Sequence, residues 1–276
     1  MILIADSGST KTAWRLIHND GIKQFATGGI NPNSMSLAAC LESINELKKD
    51  VVFNNISELY FYGAGINAVN INNWTSTLQQ TFKNATIEVA NDLVAAARAC
   101  YGNQSGLIAI LGTGSNVGWF DGKQVAKKSP ALGYILGDEG AGVAIGKAIV
   151  KGYYRGNWPK ELQDAFARKY TWTYDEFVHE LYQSERKAAF LAQFSKWAFQ
   201  QRKHQAIQEI IINVYQDFFE MIQEVFGNEP KQLALVGSVA YYWSDYIKKV
   251  GNNYQVTINQ TLEHPIAALT LHHQNQ

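Results

Sequence analysis

The residues with the most capacity for chemistry fall in two short runs of small side chains, DSGSTKT at 6–12 and GTGSN at 112–116. An oxyanion such as a phosphate group needs several donors within about 3 Å, and a turn of small residues offers them without side-chain obstruction. Gly8, Ser9, Thr10 and Lys11 form the first candidate cradle, with hydroxyls at Ser7, Ser9 and Thr10. The Lys11 cation could neutralise phosphate charge or face solvent from a strand. Gly112, Thr113, Gly114 and Ser115 form the second cradle. Neither run is G-x-x-x-x-G-K-[ST], and no G-x-G-x-x-G opens a helix, so P-loop and dinucleotide chemistry lose their main support.

Carboxylates stand beside these turns. Asp6 ends the ILIA run and could orient Mg2+, directly or through water, because hard oxygen ligands suit that ion. Asp92 follows TIEVAN and precedes LVAAARA, the point where a strand hands over to a helix. Donors at a helix start would keep it ionised, able to accept a proton from a hydroxyl attacking a phosphoryl group. It also reads as an N-cap, and the two roles are compatible. Asp138, in GDEGAG, could accept hydrogen bonds from hydroxyls of a ligand or stabilise a helix start. Val236-Gly237-Ser238-Val239 sets a glycine between a strand and a helix, where free N–H groups could meet a nucleoside and its first phosphate.

The elements that must position these residues come in two passes. In the first, ILIA, the segment 12–17 and IKQFA read as an antiparallel meander turned at SGSTK and Asn19-Asp20-Gly21. A helix over 34–47, a buried strand at 59–65, a helix over 74–82 and a strand at 86–90 follow. An Ala-rich helix closed by Gly102 completes a first domain, 1–105. The second pass, 106–276, opens with LIAILGTGSNVGWFDGKQVA: strand, small-residue turn, strand, Asp-Gly turn, strand. Asp6 falls on Gly112, Gly8 on Gly114, Ser9 on Ser115 and Trp14 on Phe120, a constant offset of 106. A repeated strand–turn–strand unit heading two α/β segments predicts duplicated domains that face each other across a cleft. The rest reads as one helix over 138–154, helices near 160–168, 174–183, 187–201 and 203–226, a strand at 233–236, a strand at 254–258 and a final helix opened by Pro265 that could pack back on the first domain.

Composition narrows the function. Lys plus Arg and Asp plus Glu both number 24, so no net field draws the chain toward nucleic acid or anionic lipid. Cys40 and Cys100 lie in apolar helical runs, which predicts free thiols and a reducing, cytoplasmic setting. No run approaches the roughly 20 apolar residues of a membrane span. The six histidines form no H-x-x-x-H pair or Cys-His cluster, so a zinc centre is not expected. The aromatic-rich helices around Trp197, Phe199, Tyr215, Phe218 and Phe219 read as packing surface, part of which could form a homodimer interface.

DSGSTKT, GTGSN, LGDEG and LVGSV, in that order over residues 2–270, resemble the motifs of the BadF/BadG/BcrA/BcrD-type ATPase family. That family stands within the actin and sugar-kinase superfamily, and the resemblance is strongest to N-acetylglucosamine kinases. It implies an α/β fold of two ribonuclease-H-like domains around an ATP-binding cleft, with ATP and Mg2+ as cofactors and a small sugar as substrate. On this resemblance Gly8 to Lys11 and Gly112 to Ser115 are the phosphate loops, Gly237 and Ser238 the adenosine motif, and Asp92 the catalytic aspartate. Asn31, in GGINPN, matches an asparagine that contacts sugar in those enzymes, and also suits a turn beside Pro32. The chain departs from them at Ala131-Leu132-Gly133-Tyr134, where they carry a Gly-Trp pair that shapes the sugar site. The implied activity is transfer of a phosphoryl group from ATP to a hydroxyl of N-acetylglucosamine or a related amino sugar. Two alternatives remain: an ATPase that activates a dehydratase through a cluster bridged by cysteines, and a non-catalytic sensor of ATP or sugar.

Overall fold

The computed structural model describes residues 1–8, 11–228 and 231–274. The chain divides into two compact units, one of Met1–Ser105, Phe120–Val125 and His264–Gln276, the other of Gly106–Trp119 and Ala126–Glu263.

In the first unit β1 (Ile2–Ser7), β2 (Lys11–His18) and β3 (Gly21–Gly28) form the antiparallel meander. After α1 (Leu37–Asn45), the strand β4 (Glu58–Gly63) pairs parallel to β1. α2 (Ile71–Thr81) then returns the chain to β5 (Thr86–Asn91), parallel to β4, and α3 (Asp92–Tyr101) follows without a loop. The strand order is β3-β2-β1-β4-β5. Alternation explains the layering, since Trp14 and Leu16 of β2 face a core that also holds Leu59 and Phe61 of β4. Trp14 packs edge-on to Phe61 at 6.3 Å and donates through Nε1 to Thr27 Oγ1 at 3.0 Å, so its polar edge is satisfied inside the core.

The second unit repeats the plan. β6 (Gly106–Leu111), β7 (Ser115–Phe120) and β8 (Val125–Lys128) take the places of β1 to β3. A helical block follows: α4 (Gly133–Leu136), α5 (Gly142–Tyr154), α6 (Lys160–Lys169), α7 (Tyr174–Gln183), α8 (Lys187–Ala192), α9 (Phe194–Gln200) and α10 (Gln205–Phe226). β9 (Gln232–Val236) pairs parallel to β6, then α11 (Ser238–Tyr242) and α12 (Ser244–Asn253) lead to β10 (Thr257–Leu262), parallel to β9. The order β8-β7-β6-β9-β10 matches that of the first sheet strand for strand, which is the duplication read from the 106-residue offset. The last helix, α13 (Ile266–Gln274), belongs to the first unit and packs on α3, β1 and β2.

Several elements depart from the sequence reading, and the helix expected over 187–201 is divided into α8 and α9 at Gln193. No single helix spans 138–154: α5 starts at Gly142, because Asp138 and Gly140 take left-handed φ values of 63° and 74° and turn the chain between α4 and α5. The last strand is β10 rather than 254–258, because α12 runs on to Asn253 and Gln255, at φ 57°, turns the backbone before pairing begins.

Candidate functional site

In the first unit the site grows from the carboxyl ends of three parallel strands. Ser7 of β1 pairs with Gly63 of β4, and Gly63 with Asn91 of β5, so the chain leaves all three strands at one level. The crevice outside the carboxyl ends of parallel strands is where α/β sheets bind ligands. Asp6, Gly8 and Asp92 stand at that edge. Asp6 is half-buried, and burial with the neighbouring Asp92 carboxylate pushes its carboxyl up to about 6. Asn91 is the N-cap of α3, its Oδ1 accepting from Val94 N–H at 3.0 Å. Asp92 is therefore the first helical residue and not the cap; its Oδ1 accepts from Leu93 N–H at 2.9 Å. A strand-to-helix joint with no intervening loop thus carries a carboxylate that accepts from a helix-end amide.

Ser7 does not serve as a phosphate donor. Its hydroxyl is buried, lies 2.7 Å from Thr12 Oγ1, donates to Ile30 O at 2.8 Å and accepts from Ile30 N–H at 3.1 Å. It instead ties the loop after β3 to the end of β1. That loop presents Asn31, whose Oδ1 accepts from Asn33 N–H at 3.0 Å in a local turn. Of the first small-residue turn, Gly8 donates its N–H to Lys11 O at 3.0 Å and Lys11 is exposed at the start of β2. Ser9 and Thr10 lie outside the described residues.

The second unit places its turn by the same logic. Gly112 follows β6, and the first amides of α5 tie the turn down: Gly142 N–H donates to Gly112 O at 2.8 Å and Val143 N–H to Thr113 O at 3.0 Å. Asp138 Oδ1 accepts from Ser115 N–H at 3.0 Å, so the GDEG turn buttresses the glycine turn. A Cβ on Gly114 would lie 2.8 Å from that carboxylate oxygen, and only glycine lets Asp138 in so close. At Gly112, by contrast, a Cβ would meet nothing within 4 Å; protein packing does not demand glycine there, and the open space suits a phosphate. Gly237, at φ 116°, follows β9, and a Cβ there would sit 2.4 Å from Leu111 O, so the residue holds β9 and β6 close where α11 begins.

A cavity of about 480 Å3 opens at this point, bounded by Gly112 and Thr113 at one side, Ser238 and Val239 at another, and Gln193 and Phe199 of the α8–α9 segment. Its size falls within the usual range for a nucleotide-sized ligand. The α8–α9 lining was not legible in the sequence, because apolar periodicity marks the buried face of a helix and is silent about its half-exposed polar residues. Among the sequence-predicted residues, Gly112, Thr113 and Ser238 line this cavity together, whereas Asp138 stands behind the turn.

The residues fit Mg2+ with a polyphosphate. Among the described residues no group of three or more His, Cys, Asp or Glu side chains could hold a metal by itself. Mg2+ does not need one, since it commonly takes one or two carboxylates and completes its shell with phosphate oxygens and water. The mutual repulsion of Asp6 and Asp92 is what a divalent cation would relieve.

Two sheets of identical strand order, each with a small-residue turn at the carboxyl edge of its first strand, define an α/β fold of the actin and sugar-kinase class. Solved structures agree. The "Putative N-acetylglucosamine Kinase" of Porphyromonas gingivalis is 31% identical, with a TM-score of 0.89, over 100% of this chain and 99% of that one. The chain belongs to the same family as that protein, the N-acetylglucosamine-kinase-like branch of the BadF/BadG/BcrA/BcrD-type ATPases. A protein of the same description from Chromobacterium violaceum shares the fold at 16% identity and a TM-score of 0.74, covering 98% of each chain. The ROK hexokinase of Thermus thermophilus shares it at 15% identity and 0.53, covering 98% of this chain and 97% of that one. No protein-family model matches the chain, and no curated protein does. No helix among the described residues is long and apolar enough to cross a membrane.

Proposed function

We propose that this protein transfers the γ-phosphoryl group of ATP to a hydroxyl of an amino sugar of the N-acetylglucosamine class. The observation that carries the reading is the Asp92 carboxylate, set beside Asp6 on a rigid strand–helix joint, in a chain that matches an N-acetylglucosamine-kinase-like protein end to end. Asp92 accepts the proton of the attacking hydroxyl as that oxygen bonds to the γ-phosphorus and the bond to the β-phosphate oxygen breaks, leaving ADP. Gly8, Ser9, Thr10, Lys11 and the Gly112–Ser115 turn receive phosphate oxygens. Gly237 and Ser238 receive the adenosine. Asp6 would hold Mg2+, directly or through water, and that ion would supply neutralisation of charge on the phosphate oxygens. Asn31 orients the sugar. Asp138 holds the Ser115 amide through Oδ1 and offers Oδ2 to a sugar hydroxyl.

The dehydratase-activator alternative requires thiolates free to bind a cluster. Cys40 is fully buried, and burial pushes the Cys100 thiol up to about 12, so neither side chain suits that role. A coupled ADP-release assay with Mg-ATP and a panel of amino sugars and hexoses tests the proposal. Turnover with an amino sugar above the ATPase background is the expected outcome; no turnover with any member of the panel overturns it.

A further inference from the structure

The cavity beside the Gly112–Ser115 turn carries one polar side chain whose orientation the fold itself fixes. Gln193 forms the joint between α8 and α9 and lines the cavity. Its Nε2 donates to Phe190 O at 2.8 Å. Turning the amide by half a revolution would set oxygen against oxygen, so that contact settles which end is which. Oε1 is then the free end of the side chain, a pure acceptor with no donor among the described residues. Lys196 and Gln200 also line the cavity, but both are exposed and neither side chain is anchored by a hydrogen bond among the described residues. Engaging them would cost rotamer freedom that Gln193 has already given up.

We infer that Gln193 selects adenine over guanine, its Oε1 accepting a hydrogen bond from the exocyclic 6-amino group of the base. The inference rests on the proposed use of ATP and names the residue that reads the base. Adenine presents an N6 donor where guanine presents the O6 acceptor. Against Gln193 a guanine would set acceptor against acceptor, leaving two polar atoms unpaired in a partly desolvated cavity, and such mismatches are what give hydrogen-bonding sites their selectivity. Thr113 and Ser238 border the same cavity, so base and phosphates would share one continuous surface of the second unit.

Calorimetric titration of the full-length protein tests this, with ADP, GDP and purine-riboside diphosphate, which lacks the 6-amino group, run on wild type and on Gln193→Met. Wild type is expected to bind ADP about 10- to 100-fold more tightly than either other nucleotide. In Gln193→Met the preference for ADP over purine-riboside diphosphate should collapse to about 2-fold or less, as a double-mutant cycle requires of two groups that touch. An undiminished preference in the variant overturns the role of Gln193 while leaving the kinase reading intact. Equal binding of ADP and purine-riboside diphosphate by wild type does the same without needing the variant to fold. Binding of none of the three by wild type takes down both the inference and the use of ATP.

Discussion

Asp6 sits where function and stability pull in opposite directions, and Asp6→Asn separates them. Burial and Asp92 raise the Asp6 carboxyl from its ordinary 3.8 to about 6. The folded protein therefore keeps a proton that the unfolded chain has lost, and stability falls as pH rises through that interval. A shift of roughly two pH units at about 1.4 kcal/mol each makes the penalty about 3 kcal/mol above pH 6, an upper value because solvent reaches part of the side chain. Asparagine keeps the shape and cannot ionise. Asp6→Asn should therefore stabilise the ligand-free protein by about 2–3 kcal/mol at pH 8 and by nearly nothing at pH 3.5. The assay is urea unfolding in EDTA at both pH values, read by hydrogen exchange in β1 peptides so that opening of the first unit is followed directly. The same variant should lose Mg-dependent phosphoryl transfer. An equal gain at both pH values, or a loss at pH 8, refutes the reasoning, because the penalty would not then be the ionised carboxylate.

Further expectations follow from the same geometry. Asp92→Asn should retain nucleotide binding by calorimetry and lose about two or more orders of magnitude in sugar-dependent kcat. Asp138→Ala removes the acceptor that holds Ser115 N–H, and should raise the KM for both ATP and sugar; Asp138→Asn keeps an oxygen for that amide and should raise mainly the KM for sugar. Gly237→Ala forces a Cβ to within 2.4 Å of Leu111 O at φ 116°, and should cost about 2–4 kcal/mol in unfolding free energy. Tyr62 OH accepts from Arg98 Nη1 at 2.7 Å and lies 2.8 Å from His273 Nε2, so it pins α13 to β4 and α3. Tyr62→Phe should raise amide exchange in α13 about tenfold, equivalent to about 1.4 kcal/mol, without unfolding the sheet.

The sequence carried the sheet plan because glycine turns and apolar runs recur at a fixed offset, and such patterns translate directly into strand order. The position of Asp92 was legible because a strand running straight into an Ala-rich helix leaves little freedom for the residue at the joint. Which of Asn91 and Asp92 caps the helix was not legible, since both types cap well and only the backbone angles decide. Ser7 was misread as a ligand donor because its partners, Thr12 and Ile30, become neighbours only after β1, β2 and the loop after β3 assemble. The start of α5 was misplaced because Asp138 adopts a left-handed turn that local propensity disfavours and the bond to Ser115 stabilises. Gln193 carried no signal at all: its value lies in an amide oriented by Phe190 and set against a turn some 80 residues earlier in the chain.

The central claim concerns the destination of one phosphoryl group, and isotope tracing addresses it directly. Incubation of the protein with Mg-ATP labelled with oxygen-18 in the γ-phosphoryl group and with N-acetylglucosamine, followed by mass spectrometry, should find the label in a sugar monophosphate formed in step with ADP. Labelled inorganic phosphate beside unmodified sugar, for this and every other amino sugar supplied, would contradict it.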